Sequence, residues 1–115
     1  MSSSPQATYR DSIVIDLLGG SVLRRPAPPI DGKDVIDQRI AGGITVSNET
    51  LASDTDSFRE AATAIYQYLT LAKVEAGRLL IIETVDDIAR AKREGKHGLI
   101  LGFQGGVAFE DDIAT

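Results

Sequence analysis

Asp16 stands near the end of an apolar run, Ser12–Leu18 (SIVIDLL). An ionised carboxylate there is costly unless it is paired, hydrogen-bonded or bound to a metal. Two roles follow: accepting backbone N–H groups from a nearby loop, or orienting a ligand or a catalytic group. Gln104 comes directly after Leu99–Phe103 (LILGF). Its neutral amide both donates and accepts, which suits ordering a loop or contacting a substrate. Asn48 and Glu49 mark the exit of another short apolar stretch (ITVS) and read mainly as structural polar groups. In parallel α/β folds function gathers at the C-terminal ends of strands, where loops vary over a rigid sheet. Asp16, Asn48 and Gln104 are therefore the candidate lining of a site, converging on one end of the sheet.

Other chemically suggestive residues have plainer readings. Gly19-Gly20 and Gly105-Gly106 lack the spacing of a phosphate-binding loop or a dinucleotide fingerprint. His97, the single histidine, precedes a strand and belongs to the stability end of the fold. Asp86-Asp87 and Asp111-Asp112 fall at helix starts, where acids complement the positive end of the helix dipole. Arg24-Arg25 is a solvated loop pair with some capacity to grip an anionic group. Tyr66 and Tyr68 belong to a long helix, either packed or at its surface. With one histidine, no cysteine and no EF-hand spacing, this chain builds no metal site by itself.

These residues are carried by alternating elements. Three main parallel strands are predicted at Ser12–Leu18, Gly43–Ser47 and Gly98–Phe103, adjacent and ordered as in a barrel arc. The first is apolar with little alternation, as in a parallel strand covered on both faces, and meets a tight turn at Gly19-Gly20. Leu23–Gly32 holds three prolines and is a loop. Lys33–Ala41 has helical spacing and is stopped by Gly42-Gly43. Ser57–Ala76 is the strongest helix; Ser57 and Glu60 have capping-box spacing, and Phe58, Ala61, Ala62, Ile65, Leu69 and Ala72 form one stripe. Leu79–Glu83 is a short extended segment, and a helix capped by Thr84 runs to Glu94 before Gly95.

The alternation defines an α/β chain with a parallel sheet. Residues 1–11 read as a disordered lead and 12–115 as part of a (β/α) barrel, the N-terminal arc of a (β/α)8 TIM-type fold truncated before closure. Such a barrel ordinarily needs eight strands and about 250 residues. The 17 acidic residues outnumber the 12 basic ones, which argues against nucleic acid as a partner, since phosphate binding needs clustered Lys and Arg. No apolar stretch approaches the roughly 20 residues of a membrane span, and no secretory signal is seen; a cytoplasmic protein is expected.

Four stretches carry a further likeness: Ile13–Gly20 (IVIDLLGG), Ala41–Thr45 (AGGIT), Leu79–Gly95 (LLIIETVDDIARAKREG) and His97–Gly106 (HGLILGFQGG). In order and spacing, over about Ser12–Thr115, the chain resembles the membrane (renal) dipeptidase family of zinc metallopeptidases. The resemblance implies a (β/α) barrel, two zinc ions, and hydrolysis of dipeptides or related amides. It also implies a His-x-Asp pair on the first strand and a bridging Glu after the strand matching Leu99–Phe103. Here the first pair of positions reads Leu18 and Gly20, and the bridging position reads Gln104. Leucine and glycine side chains cannot ligate, and an amide offers one neutral oxygen in place of two anionic ones. A two-metal clamp on attacking and leaving oxygens cannot form in the usual way.

Three functions are consistent with these residues. One is a divergent dipeptidase-like hydrolase acting on a small peptide or amide. The second is a non-catalytic barrel-derived protein that binds small molecules or other proteins. The third is a non-functional fragment. Open sheet edges on a barrel arc would also favour a homo-oligomer or edge association.

Overall fold

The computed structural model describes residues 4–23 and 28–110. Arg24-Arg25 and Asp111-Asp112 lie outside them.

Four parallel strands form one sheet: β1 (Ile15–Gly20), β2 (Val46–Ala52), β3 (Leu79–Ile81) and β4 (His97–Phe103). Their spatial order is β1-β2-β4-β3. The three main strands are thus neighbours and parallel. The short β3 does not lie between β2 and β4; it pairs only with the first part of β4, Leu79 to His97 through Ile81 to Leu99. Helices α2 (Val35–Ala41), α3 (Phe58–Val74) and α4 (Val85–Glu94) alternate with the strands. The molecule is an α/β fold with its helices between successive parallel strands.

The helix boundaries follow local chemistry. Ser57 and Glu60 complete a reciprocal capping box on α3, and Thr84 and Asp87 do the same on α4. Gly95 ends α4 in the left-handed conformation that an L side chain resists. The Asp87 carboxyl is held below the usual range by the backbone N–H groups of Glu83 and Thr84. Asp34 caps α2 through the Asp37 N–H, the main reason its carboxyl is lowered. Arg78 then ties Asp34 and Asp37 at the start of α2 to Glu75 at the end of α3.

Three expectations are corrected. Residues 1–11 are not simply a disordered lead: Pro5–Asp11 forms a short helix, α1, with Ser4 as N-cap and proline in its first turn. The Tyr9 hydroxyl donates to the Gly42 carbonyl at 2.8 Å, so the segment is tied to the end of α2. The predicted stripe on α3 is only in part its buried face: Ala61 belongs to it and is buried, while Ala64 and Tyr68 lie outside it. Phe58 is 64% and Leu69 49% exposed, whereas Ala61, Ala64 and Tyr68 are buried. The small alanines let α3 approach the sheet, and Tyr68 finds a polar partner there. Third, β1 starts later than predicted and runs through Gly19-Gly20, and it is not covered: Leu17 is 74% and Leu18 68% exposed. A Cβ on Gly19 would stand 2.6 Å from the Ser47 Cβ, so the glycine permits close pairing of β1 with β2.

The main core lies between the sheet and the helices. Leu51, Leu79 and Leu99 from the strands meet Ile36, Ala64 and Tyr68 from the helices, with Val22 from the loop after β1. No helix among the described residues is long and apolar enough to cross a membrane.

Candidate functional site

The period of a strand divides β2 between two environments. Ser47, Glu49 and Leu51 share the face that meets the helices, and Asn48 and Thr50 share the other. Register extends this to β4: Leu99 pairs with Ser47 and Leu101 with Glu49, while Ile100 pairs with Asn48 and Gly102 with Thr50.

The helix-facing side holds a buried polar cluster. Glu49 is 0% exposed and His97 0%, with Ser47 at 1%. Arg39 reaches in from α2 to form an ion pair with Glu49. The same guanidinium donates to Ser47 Oγ at 2.8 Å and to the Gly19 carbonyl at 2.8 Å. The second Glu49 oxygen accepts from the Val22 N–H at 2.9 Å and from the Tyr68 hydroxyl at 2.8 Å. Glu49 therefore links α2, α3, β2 and the segment that follows β1. Burial, with the nearby Glu49 charge adding to it, pushes the Tyr68 phenol up to about 12, so it serves as a donor at neutral pH.

His97 completes the cluster. Its Nδ1 is 2.9 Å from the Ile44 carbonyl, which can only accept, so Nδ1 carries the proton. Nε2 is then an acceptor 2.7 Å from Ser47 Oγ, whose single hydroxyl proton has Glu49 Oε1 at 2.8 Å as its other acceptor. A serine beside a histidine has the composition of an activated nucleophile. Here both are buried beneath α2, and Ser47 Oγ is also bonded to Arg39 and Glu49, so no substrate reaches it. Burial pushes the His97 imidazolium down, and the Arg39 charge adds to this. The folded state thus binds the proton less readily than the unfolded state, whose ordinary value is 6.5. Stability should be full above that value and fall as pH drops through and below it. Urea midpoints between pH 7.5 and 5 should show this decline, with a flatter profile in His97→Gln. Identical slopes for the two proteins would refute the assignment.

The opposite face carries two of the three residues expected to line a site. Asn48 lies mid-strand and not at a strand exit, because β2 continues to Ala52. Gln104 does stand at the exit of β4; its backbone N–H donates to the Ala52 carbonyl at 2.8 Å and its Nε2 donates to Thr50 Oγ1 at 3.0 Å. Asn48 and Thr50 share that face of β2, and Gln104 reaches back to Thr50 from a position about 13 Å beyond Asn48 along the strands at ~3.3 Å per residue.

Asp16 is not brought to Gln104. It is the second residue of β1, pairs with Ser47 at the level of Leu99, and lies about 16 Å before Gln104 along the strands at ~3.3 Å per residue. Its exposed carboxylate accepts from the Leu18 N–H at 3.0 Å. Asp16 and Asn48 thus stand within one residue of each other in level along the sheet, about four or five residues before Gln104, which alone stands at a strand exit. The physical reason is the shift of β1 and β2 toward the C-terminus relative to the predicted spans.

Sequence reasoning missed the Arg39–Glu49–Ser47–His97–Tyr68 cluster. A usable signal was present: Ser47 and Glu49 alternate on one face of a strand that also bears Leu51, which demands buried partners.

The positions at which the family resemblance implies zinc ligands do not suit zinc. Leu18 is apolar, Gly20 has no side chain, and the Gln104 amide is engaged by Thr50. Among the described residues no group of three or more His, Cys, Asp or Glu side chains could hold a metal ion.

No protein-family model matches the chain, and no curated protein matches it. Among solved structures it is similar to the crystal structure of an amidohydrolase from Pseudomonas aeruginosa, with 31% identity and a TM-score of 0.78. The match covers 96% of this chain and 31% of that one. The chain thus spans about a third of the length of the amidohydrolase it matches. Its parallel sheet and alternating helices correspond to part of a TIM-barrel-like amidohydrolase fold.

Proposed function

We propose that this chain is an arc of a hydrolase barrel of the membrane dipeptidase type whose two-zinc centre has given way to neutral hydrogen-bonding groups, and that its substrate class is a small peptide or amide. Identity of 31% to an amidohydrolase over nearly the whole chain supports the hydrolase frame. The observation that carries the divergent-centre reading is Gln104: it stands at the exit of β4, where the resemblance implies a bridging carboxylate, and it hydrogen-bonds Thr50. An amide in that role recognises polar groups but cannot hold two cations.

A second reading, a non-catalytic barrel protein that binds small molecules, is favoured by Leu18. An exposed leucine where a ligand would stand supplies contact area and no chemistry.

The test pairs metal analysis after dialysis with a Leu-Ala dipeptide hydrolysis assay, on the 115-residue chain and on any longer gene product that contains it. The expected result is no stoichiometric zinc and no dipeptide hydrolysis by the chain alone, with weak or altered activity in a longer product. One tightly held zinc per chain that disappears in Asp16→Ala would overturn the reading of the centre. A longer product devoid of any amide hydrolysis would favour the binding protein.

A further inference from the structure

The buried cluster around Glu49 can be counted proton by proton. With His97 neutral, three acceptors stand together: His97 Nε2, Ser47 Oγ and Glu49 Oε1. The Ser47 hydroxyl brings one proton to them. Arg39 Nη1 brings two, directed at Ser47 Oγ at 2.8 Å and at Glu49 Oε1. In this state the cluster needs Arg39 both as donor and as the counter-charge of Glu49.

A proton on His97 Nε2 changes the count. Nε2–H then donates to Ser47 Oγ across 2.7 Å, and the Ser47 hydroxyl donates to Glu49 Oε1 across 2.8 Å. Both oxygens are served without Arg39, and the imidazolium becomes the counter-charge of Glu49 through Ser47. Arg39 Nη1, 3.4 Å from Nε2, is now a second cation beside the first, in a buried place where water screens little. The remaining charge bearing on His97 is Asp16 of β1, whose carboxylate is exposed. Tyr68 of α3 reaches Glu49 Oε2 as a neutral donor, β3 brings Leu79 beside His97, and α4 buries Ala91. None of these adds a charge.

The element that can yield is α2. Its one buried residue is Ile36, near its start. Arg78 pins that start through Asp34 and Asp37. The far half is held by Arg39 and by the Tyr9 hydroxyl on the Gly42 carbonyl. We propose that α2 is a proton-operated latch: His97, on taking up a proton, replaces Arg39 as the counter-cation of Glu49, and the C-terminal half of α2 leaves the sheet about a start pinned by Arg78. The Val22 N–H and the Tyr68 hydroxyl keep Glu49 Oε2 in both states, so the sheet and α3 stay joined. The half-buried Gly19 carbonyl takes water in place of Arg39 Nη2.

Amide hydrogen exchange of the 115-residue chain, followed by NMR from pH 7.5 to 5 and corrected for intrinsic rates, tests the latch. The reporters are Gly42, Gly43 and Ile44, whose N–H groups bond the Gln38, Ile40 and Arg39 carbonyls. Their protection should fall about tenfold per pH unit below 6.5, the ordinary histidine value that the open state regains. Low urea should barely change it, as for a local opening, whereas Leu99 should follow the slope of global unfolding. His97→Gln should make the reporters indifferent to pH. In Arg39→Met the imidazolium is the one cation left to Glu49, so the His97 ring should titrate at higher pH than in wild type. The latch is overturned if reporter protection is flat with pH in the wild type, if it falls equally in His97→Gln, if it shares the urea slope of Leu99, or if the ring titrates no higher in Arg39→Met. The pH and urea series on the wild type decide the matter even where a variant fails to fold.

Discussion

Glu49→Ala is expected to destabilise the protein by about 3–5 kcal/mol, the usual result of removing one partner from a buried ion pair. The Glu49 side chain is fully buried and that of Arg39 is 13% exposed, so water cannot replace the lost carboxylate. The damage extends beyond the guanidinium. The Val22 N–H and the Tyr68 hydroxyl both lose their acceptor at Glu49 Oε2. Hydrogen exchange should therefore accelerate at Val22 more than at Leu99 in the middle of β4. Replacing Arg39 by Met together with Glu49 by Leu should recover part of the loss, since a buried pair is often replaceable by apolar residues. Recovery should stay incomplete because the Val22 N–H remains without a partner. Chemical denaturation of the three proteins checks this; a loss under about 1 kcal/mol for the single variant would mean that water enters the cluster.

The second large effect is a contrast between two leucines that look alike in sequence. Leu99→Ala should cost about 2–5 kcal/mol, as for other leucines removed from a packed core. Leu99 is 0% exposed and belongs to the cluster formed by β2, β3, α2 and α3. Leu17→Ala should fall within about 0.5 kcal/mol of wild type, because its side chain is 74% exposed. Both residues sit in apolar strand sequences of the same character. Equal losses in equilibrium unfolding would show that β1 is covered in solution by something outside these 115 residues, such as a second copy. A concentration-dependent midpoint would identify the second copy, since association shifts apparent stability by mass action.

The amino-acid sequence alone determined the class of this fold and most of its punctuation. Helical spacing, the Ser57–Glu60 and Thr84–Asp87 caps and the glycine at 95 are local signals, complete within a few residues, and α3 and α4 lie where those signals put them. The alternation of such helices with apolar β-branched runs sufficed for a parallel α/β sheet with β1, β2 and β4 adjacent. Gln104 at a strand exit was equally legible, because β4 ends at Phe103 and polar chemistry begins directly after it. Tertiary structure decided the rest. Which face of α3 is buried depends on what stands opposite: of the stripe that periodicity favours, Ala61 is buried but Phe58 and Leu69 are exposed, and Ala64 and Tyr68 meet the sheet instead. The start of β1 and the end of β2 depend on pairing between segments about thirty residues apart, and that register set Asp16 opposite Ser47, far from Gln104. The partners of Glu49 come from α2, α3, β2 and the segment after β1, and a one-dimensional pattern shows that a buried carboxylate needs partners without showing which ones.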